Sequence, residues 1–171
     1  MSHKAQVRAY IGWNWDEGAV DNGYLEYNQY HLDGNDQDEA DASWHKEHVA
    51  LLDGATETLD LSALTRTVLG KTLTTTFLTV KAILIVNEST SGGELLVGGA
   101  ESDEWSYPFG ADGDKVSVPL DSPLLLANRQ WGWAVNDTHK NLKLEASGGD
   151  VTYSIAIIGT ITTSATGSSG V

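Results

Sequence analysis

The chain is 171 residues long, has no cysteine, and carries 24 acidic against 10 basic side chains, a formal net charge of −14. Disulfide staples, thiolate metal sites and cysteine nucleophiles are therefore excluded, and so acidic a surface repels phosphate backbones and argues against nucleic-acid binding. With 40% hydrophobic residues, six Trp and six Tyr, the composition is that of one folded domain with a real core rather than of a disordered chain.

No stretch approaches eighteen consecutive apolar residues, so no membrane-spanning helix and no membrane partner are expected. Residues 1–6 lack the apolar segment of a secretory signal. The charge is uneven. Residues 1–60 hold 13 acids against three Lys/Arg, and the remainder 11 against seven.

In chain order, apolar residues recur with period two or in short runs, punctuated by Gly, Asn, Asp and Ser, which is the pattern of strands and turns. Strands are expected at 5–13, 24–30 and 44–53, in a polar, aromatic and less regular region. An extended segment follows at 56–61. Only 36–50 and 62–69 have any helical character, and neither holds three turns of 3.6-residue periodicity.

The clearest element is 75–87, rich in β-branched residues and apolar on both faces over 82–86, as for a strand covered on both sides. Residues 88–93 form a turn and 94–99 the return strand. Further strands fall at 115–120, 124–127, 132–135, 141–146 and 151–162, with Ser147-Gly148-Gly149-Asp150 as a tight hairpin between the last two. Such spacing without helices gives an all-β fold, an antiparallel β-sandwich of jelly-roll type with an irregular N-terminal region. The expected division is 1–55 for attachment or oligomer contacts, 56–162 for the sandwich, and 163–171 for a Gly/Ser/Thr-rich tail.

No catalytic centre is expected. His45-x-x-His48 lies in strand-like sequence, where i and i+3 point to opposite faces, so no metal site is assigned. The acidic run 33–41 departs from an EF-hand loop: the sixth position is Asp38 in place of Gly and the twelfth is Trp44 in place of Glu. A solvated loop is the simpler reading. No G-x-S-x-G elbow and no phosphate-binding glycine loop occur. No cofactor is implied.

The aromatics remain. Trp13-Asn14-Trp15 and Trp131-Gly132-Trp133 are W-x-W pairs, which on a strand put two indoles on one face. Core filling or a subunit contact accounts for them more simply than sugar stacking. Trp13, Trp15, Tyr24, Tyr27, Tyr30 and Trp44 are the expected partner contacts, and Trp131 and Trp133 the candidates for stacking on a sugar.

Over two thirds of the chain, Leu59-Asp60-Leu61-Ser62-Ala63-Leu64-Thr65, the 77–87 strand, Leu95-Leu96-Val97-Gly98-Gly99-Ala100, Gly132-Trp133-Ala134-Val135, Asn141-Leu142-Lys143-Leu144 and the 151–160 strand form a succession that resembles the small β-sandwich structural proteins of tailed-bacteriophage virions. The resemblance is one of strands and turns and brings no ligand residues with it. It implies a capsid decoration or accessory protein, synthesised in the host cytoplasm and located in the virion. Such a protein binds the major capsid protein or tail and connector components, as a homo-oligomer and often a trimer. The alternative from another class is a carbohydrate- or receptor-binding module.

Overall fold

The computed structural model describes residues 3–16 and 20–161, with the side chains at 15–16 and 20–22 outside that description. The C-terminal tail expected at 163–171 lies outside the described residues. Thirteen strands follow one another there, with no helix: β1 (Ala5–Asp16), β2 (Val20–His31), β3 (Ala42–Leu51), β4 (Thr56–Asp60), β5 (Leu64–Val68), β6 (Lys71–Thr75), β7 (Phe77–Asn87), β8 (Glu94–Gly98), β9 (Lys115–Val118), β10 (Ser122–Ala127), β11 (Trp133–Ala134), β12 (Asn141–Ser147) and β13 (Val151–Ile161).

All the strand ladders are antiparallel, as period-two patterning requires. One sheet runs β10-β7-β13-β3, with the short β11 also on β7, and a second runs β4-β12-β8-β9. Two further ribbons, β1-β2 and β5-β6, pair only within themselves. The alternation seen in sequence sets the burial. Val151, Tyr153, Ile155 and Ile157 of β13 are buried, and so are Leu142, Leu144 and Ala146 of β12. These side chains meet in one cluster with Ile83 and Ile85 of β7 and Leu95 and Val97 of β8, so the two large sheets share a single core.

A bulge makes β3 compatible with that core. Val49 pairs with Tyr153 and Lys46 with Ile155, which leaves Glu47 and His48 opposite Ser154 alone. His48 takes φ +53, and its N–H donates to Ser154 Oγ at 3.0 Å. Trp44 and Leu51 are seven positions apart and would face opposite ways on a straight strand; the extra residue turns both inward.

Several expectations change. The N-terminal region is not irregular: β1 and β2 pair without a break from Ala5↔His31 to Asp16↔Val20. β3 belongs to the larger sheet, so the body begins at Ala42 rather than at 56. Residues 62–69 hold no helical turn and lead into the β5-β6 hairpin. The segment 147–150 joins strands of different sheets instead of closing a hairpin, and 88–93 does likewise. Both connectors carry paired glycines because they pass in contact. A Cβ on Gly93 would come within 2.4 Å of the Ser147 carbonyl oxygen, and one on Gly149 within 2.8 Å of the Gly92 and Gly93 backbone.

Candidate functional site

The β1-β2 ribbon leaves the body as an arm. Its twelve-residue strands span about 40 Å at 3.3 Å per residue. The root is anchored: Val7 is buried over Ala82, Leu125 and Ile158 of the larger sheet, and His3 Nδ1 lies 2.9 Å from the Ala40 carbonyl oxygen. Beyond Val7 the described large apolar side chains of the arm, Tyr10, Ile11 and Trp13 on β1 and Tyr24, Leu25, Tyr27 and Tyr30 on β2, are exposed.

The register sorts them into two faces. One carries Tyr10, Tyr24 and Tyr30 with the Arg8–Glu26 ion pair, 3.0 Å, between them. Tyr10 and Tyr24 stack with centroids 5.7 Å apart. The other face carries Val7, Ala9, Ile11, Trp13, Leu25 and Tyr27, with Leu25 70% exposed. Glycine completes both. The Tyr10 hydroxyl lies 2.6 Å from where a Cβ of Gly12 would stand, and the Trp13 ring 2.4 Å from that of Gly23. The rings lie across the glycines, a way of supporting a thin ribbon from its own side chains.

Of the expected partner contacts, Trp13, Tyr24, Tyr27 and Tyr30 are therefore brought together on the arm. Trp15 lies in β1 opposite Asp21, and its side chain falls outside the described residues. Trp44 is a correction. It is 3% exposed in the core and donates from Nε1 to the Thr65 carbonyl at 3.1 Å, so it offers no surface to a partner. The bulge explains its inward turn.

The two candidates for sugar stacking also separate. Trp131 sits in the turn before β11, 67% exposed. Gly132, at φ +71, redirects the chain after it. Trp133 is on β11 and meets the fully buried Trp105 edge to face, 6.0 Å between centroids. A W-x-W pair shares a face only on an uninterrupted strand, and here no shared indole platform forms.

The bulge has a second consequence. It brings His45, Glu47 and His48 to one outer surface of the larger sheet, where they line a depression with Glu88 and Ser154. The expectation that the two imidazoles diverge assumed a regular strand. Ser154 Oγ donates to Glu88 Oε1 at 2.6 Å, and Glu88 Oε2 lies 2.8 Å from His48 Nδ1. The serine hydrogen bond, ahead of the contact with His48, holds the Glu88 carboxyl below the usual carboxylate range. This is not a nucleophile arrangement: the carboxylate stands between hydroxyl and imidazole, so the imidazole cannot take the serine proton. Among the described residues no group of three His, Cys, Asp or Glu is arranged to hold a metal ion.

Within the acidic run 33–41, Asp38 is tied to a protein cation. Asp38 pairs with Arg129 at 3.2 Å, and its N–H donates to the Gln130 carbonyl. Buried Lys81 donates to that same carbonyl at 2.8 Å. Burial lowers the Lys81 pKa, with Asp38 and Glu39 opposing. Burial also lowers that of His31, helped by Arg129 and Lys81. Sequence reasoning missed this cluster, because Lys81 lies in a hydrophobic strand and Arg129 in a distant loop.

No protein-family model matches the chain, and no curated protein is significantly similar to it in sequence.

Proposed function

We propose that the body is a jelly-roll sandwich and that the protein is a bacteriophage virion component, a capsid decoration or accessory head protein held to its neighbours through the β1-β2 arm. The observation that carries the reading is the arm itself. Twelve-residue strands in unbroken register expose Tyr10, Ile11, Trp13, Tyr24 and Leu25 to solvent. A free two-stranded hairpin is marginal in water, and Tyr and Trp give large contact area at small entropy cost. Such an arm is suited to lying against another protein.

The pairing order supports the jelly roll. Setting aside the two ribbons and β11, eight strands remain. The first pairs with the last (β3 with β13), the second with the seventh (β4 with β12), the third with the sixth (β7 with β10), and the fourth with the fifth (β8 with β9). These nested pairs alternate between the two sheets, as in one long hairpin rolled up. That architecture recurs in viral capsid and lectin domains, and the site, not the fold, must choose between them. Of the W-x-W pair assigned to sugar stacking only Trp131 is exposed, whereas five exposed aromatic or aliphatic side chains of the arm favour a protein partner. The partners would be the major capsid protein or a tail or connector component, with the protein in the virion.

The test is co-sedimentation of purified protein with phage particles stripped of it. Wild type should bind, and a Trp13→Ser, Leu25→Ser variant should bind at least about tenfold more weakly, two lost anchors sufficing for that factor. The melting transition of the body should be nearly unchanged, because neither side chain belongs to the shared core and substitutions outside it cost about 0.5 kcal/mol or less each. Equal binding by the variant, or no binding by wild type, would overturn the reading.

A further inference from the structure

The second ribbon is a short finger of opposite character to the rest of the molecule. Its two-residue turn has Leu69 at φ +50 and Gly70 at φ +78, the double left-handed turn in which Asn-Gly is the favoured pair. Leucine there is strained, and it makes no return to this fold: Leu69 is 100% exposed. Strain of this kind at an exposed apolar side chain points outward, to a contact made elsewhere. The finger is also cationic. Residues 61–87 contain no Asp or Glu, in a chain of net charge −14, and Arg66 and Lys71 take part in no ion pair among the described residues.

On the outer surface of the larger sheet lies the complement. The depression beside His48 has a volume of about 260 Å³, with an apolar floor of Leu84, Val86 and Ala156 and, around it, the carboxylates Glu47 and Glu88, each beside an imidazole, His45 at 3.1 Å and His48 at 2.8 Å, with no Lys or Arg in the lining. The 82–86 sequence has the pattern of a strand covered on both faces; the root of the arm covers the outer face at Ala82, yet Leu84 beyond it is 40% exposed, so that face is only partly covered in a single copy. No residue of the finger lines this depression in its own chain.

We propose that the finger of one copy seats in the acidic-rimmed depression of a second copy, with Leu69 on the apolar floor and Arg66 and Lys71 facing Glu47 and Glu88. The two surfaces are different patches, so the contact is head to tail and generates a closed ring or an open chain of subunits. The proposal depends only on the finger and the depression and stands apart from the role given to the arm.

Sedimentation velocity and native mass spectrometry of the full chain, over a concentration series at low and at 0.5 M salt, test it. Wild type should self-associate, more weakly at high salt. Leu69→Gly relieves the backbone strain, so it should fold at least as well as wild type yet associate at least tenfold more weakly. The R66E/K71E variant and Glu47→Lys should each be deficient alone, and their mixture should recover hetero-association. Wild-type association by Leu69→Gly, or a monomeric wild type at all concentrations, would overturn the proposal. So would Leu69-dependent binding to phosphatidylcholine–phosphatidylserine vesicles without self-association, which would assign the finger to a lipid surface. If Trp13→Ser, Leu25→Ser abolishes self-association while Leu69→Gly does not, the contact belongs to the arm; this proposal then fails while arm-mediated attachment survives.

Discussion

Glu104 offers the sharpest stability test, because its isosteric substitution should be harmful. The side chain is 7% exposed. Its Oε1 accepts the Gly99 N–H and its Oε2 the Gly113 N–H, each at 2.6 Å, so one carboxylate fastens both ends of the 99–113 loop. Both oxygens are acceptors, and glutamine can supply only one. Glu104→Gln therefore loses one charge-assisted hydrogen bond and sets an amide N–H against a backbone N–H. Hydrogen bonds to charged groups contribute about 1.5–3 kcal/mol, and the remaining bond weakens as the charge is removed. A destabilisation of about 2 kcal/mol follows, or a melting temperature lower by roughly 4–8 °C at this chain length. Urea unfolding followed by tryptophan fluorescence reads it. The adjacent Trp105 is fully buried against Trp133 and Phe109 and donates to the Ala134 carbonyl at 2.9 Å. A Glu104→Gln protein within about 0.5 kcal/mol of wild type would refute the two-acceptor clamp.

Two further predictions concern buried polar groups. The Tyr153 hydroxyl donates to Glu57 Oε2 at 2.5 Å, and Glu57 Oε1 accepts Lys46 Nζ at 2.5 Å, which ties β13 and β3 of one sheet to β4 of the other. Tyr153→Phe keeps the ring and should cost about 1.5–2 kcal/mol by calorimetry; no measurable loss would remove the tie. Burial, then the Glu57 hydrogen bond and charge, push the phenol far above its ordinary range, so it should ionise only on unfolding. For His31 the folded pKa is lowered below 6.5 by burial, Arg129 and Lys81. The unfolded chain therefore binds the extra proton first, and stability falls as pH drops below about 6.5 and is flat above. His31→Gln should remove up to about 1.4 kcal/mol per pH unit from that slope, measured by denaturation from pH 7 to 5; an unchanged slope would contradict the assignment.

The all-β class and most strand positions were legible in the sequence because burial on one side writes itself as period two; 141–146 and 151–162 fall within a residue or two of β12 and β13. What could not be read is whatever depends on departures from that period. The bulge at His48 reverses the side on which the rest of β3 lies, so it buries Trp44 and gathers His45 and His48, both contrary to straight-strand reasoning. The connectors at 88–93 and 147–150 have hairpin composition, but hydrogen-bond partners are chosen by the global pairing, and these switch sheets. The arm was half visible. Its tyrosines and tryptophans stood out in the sequence, while the unbroken pairing that sets the Trp13 ring over Gly23 of the facing strand joins residues ten apart, a relation that strand periodicity alone does not display. The finger went unread because Val68-Leu69-Gly70 lacks the Asn or Asp expected of its turn.

The arm is the centre of the functional account, and backbone protection reports on it directly. Amide hydrogen exchange should be followed in the free protein and in protein bound to stripped particles. Protection should rise along Ala5–Asp16 and Val20–His31 on binding, while β12 and β13, already in the core, change little. Unchanged exchange in the arm, with new protection confined to body loops such as 99–113 or 128–132, would contradict attachment through the arm.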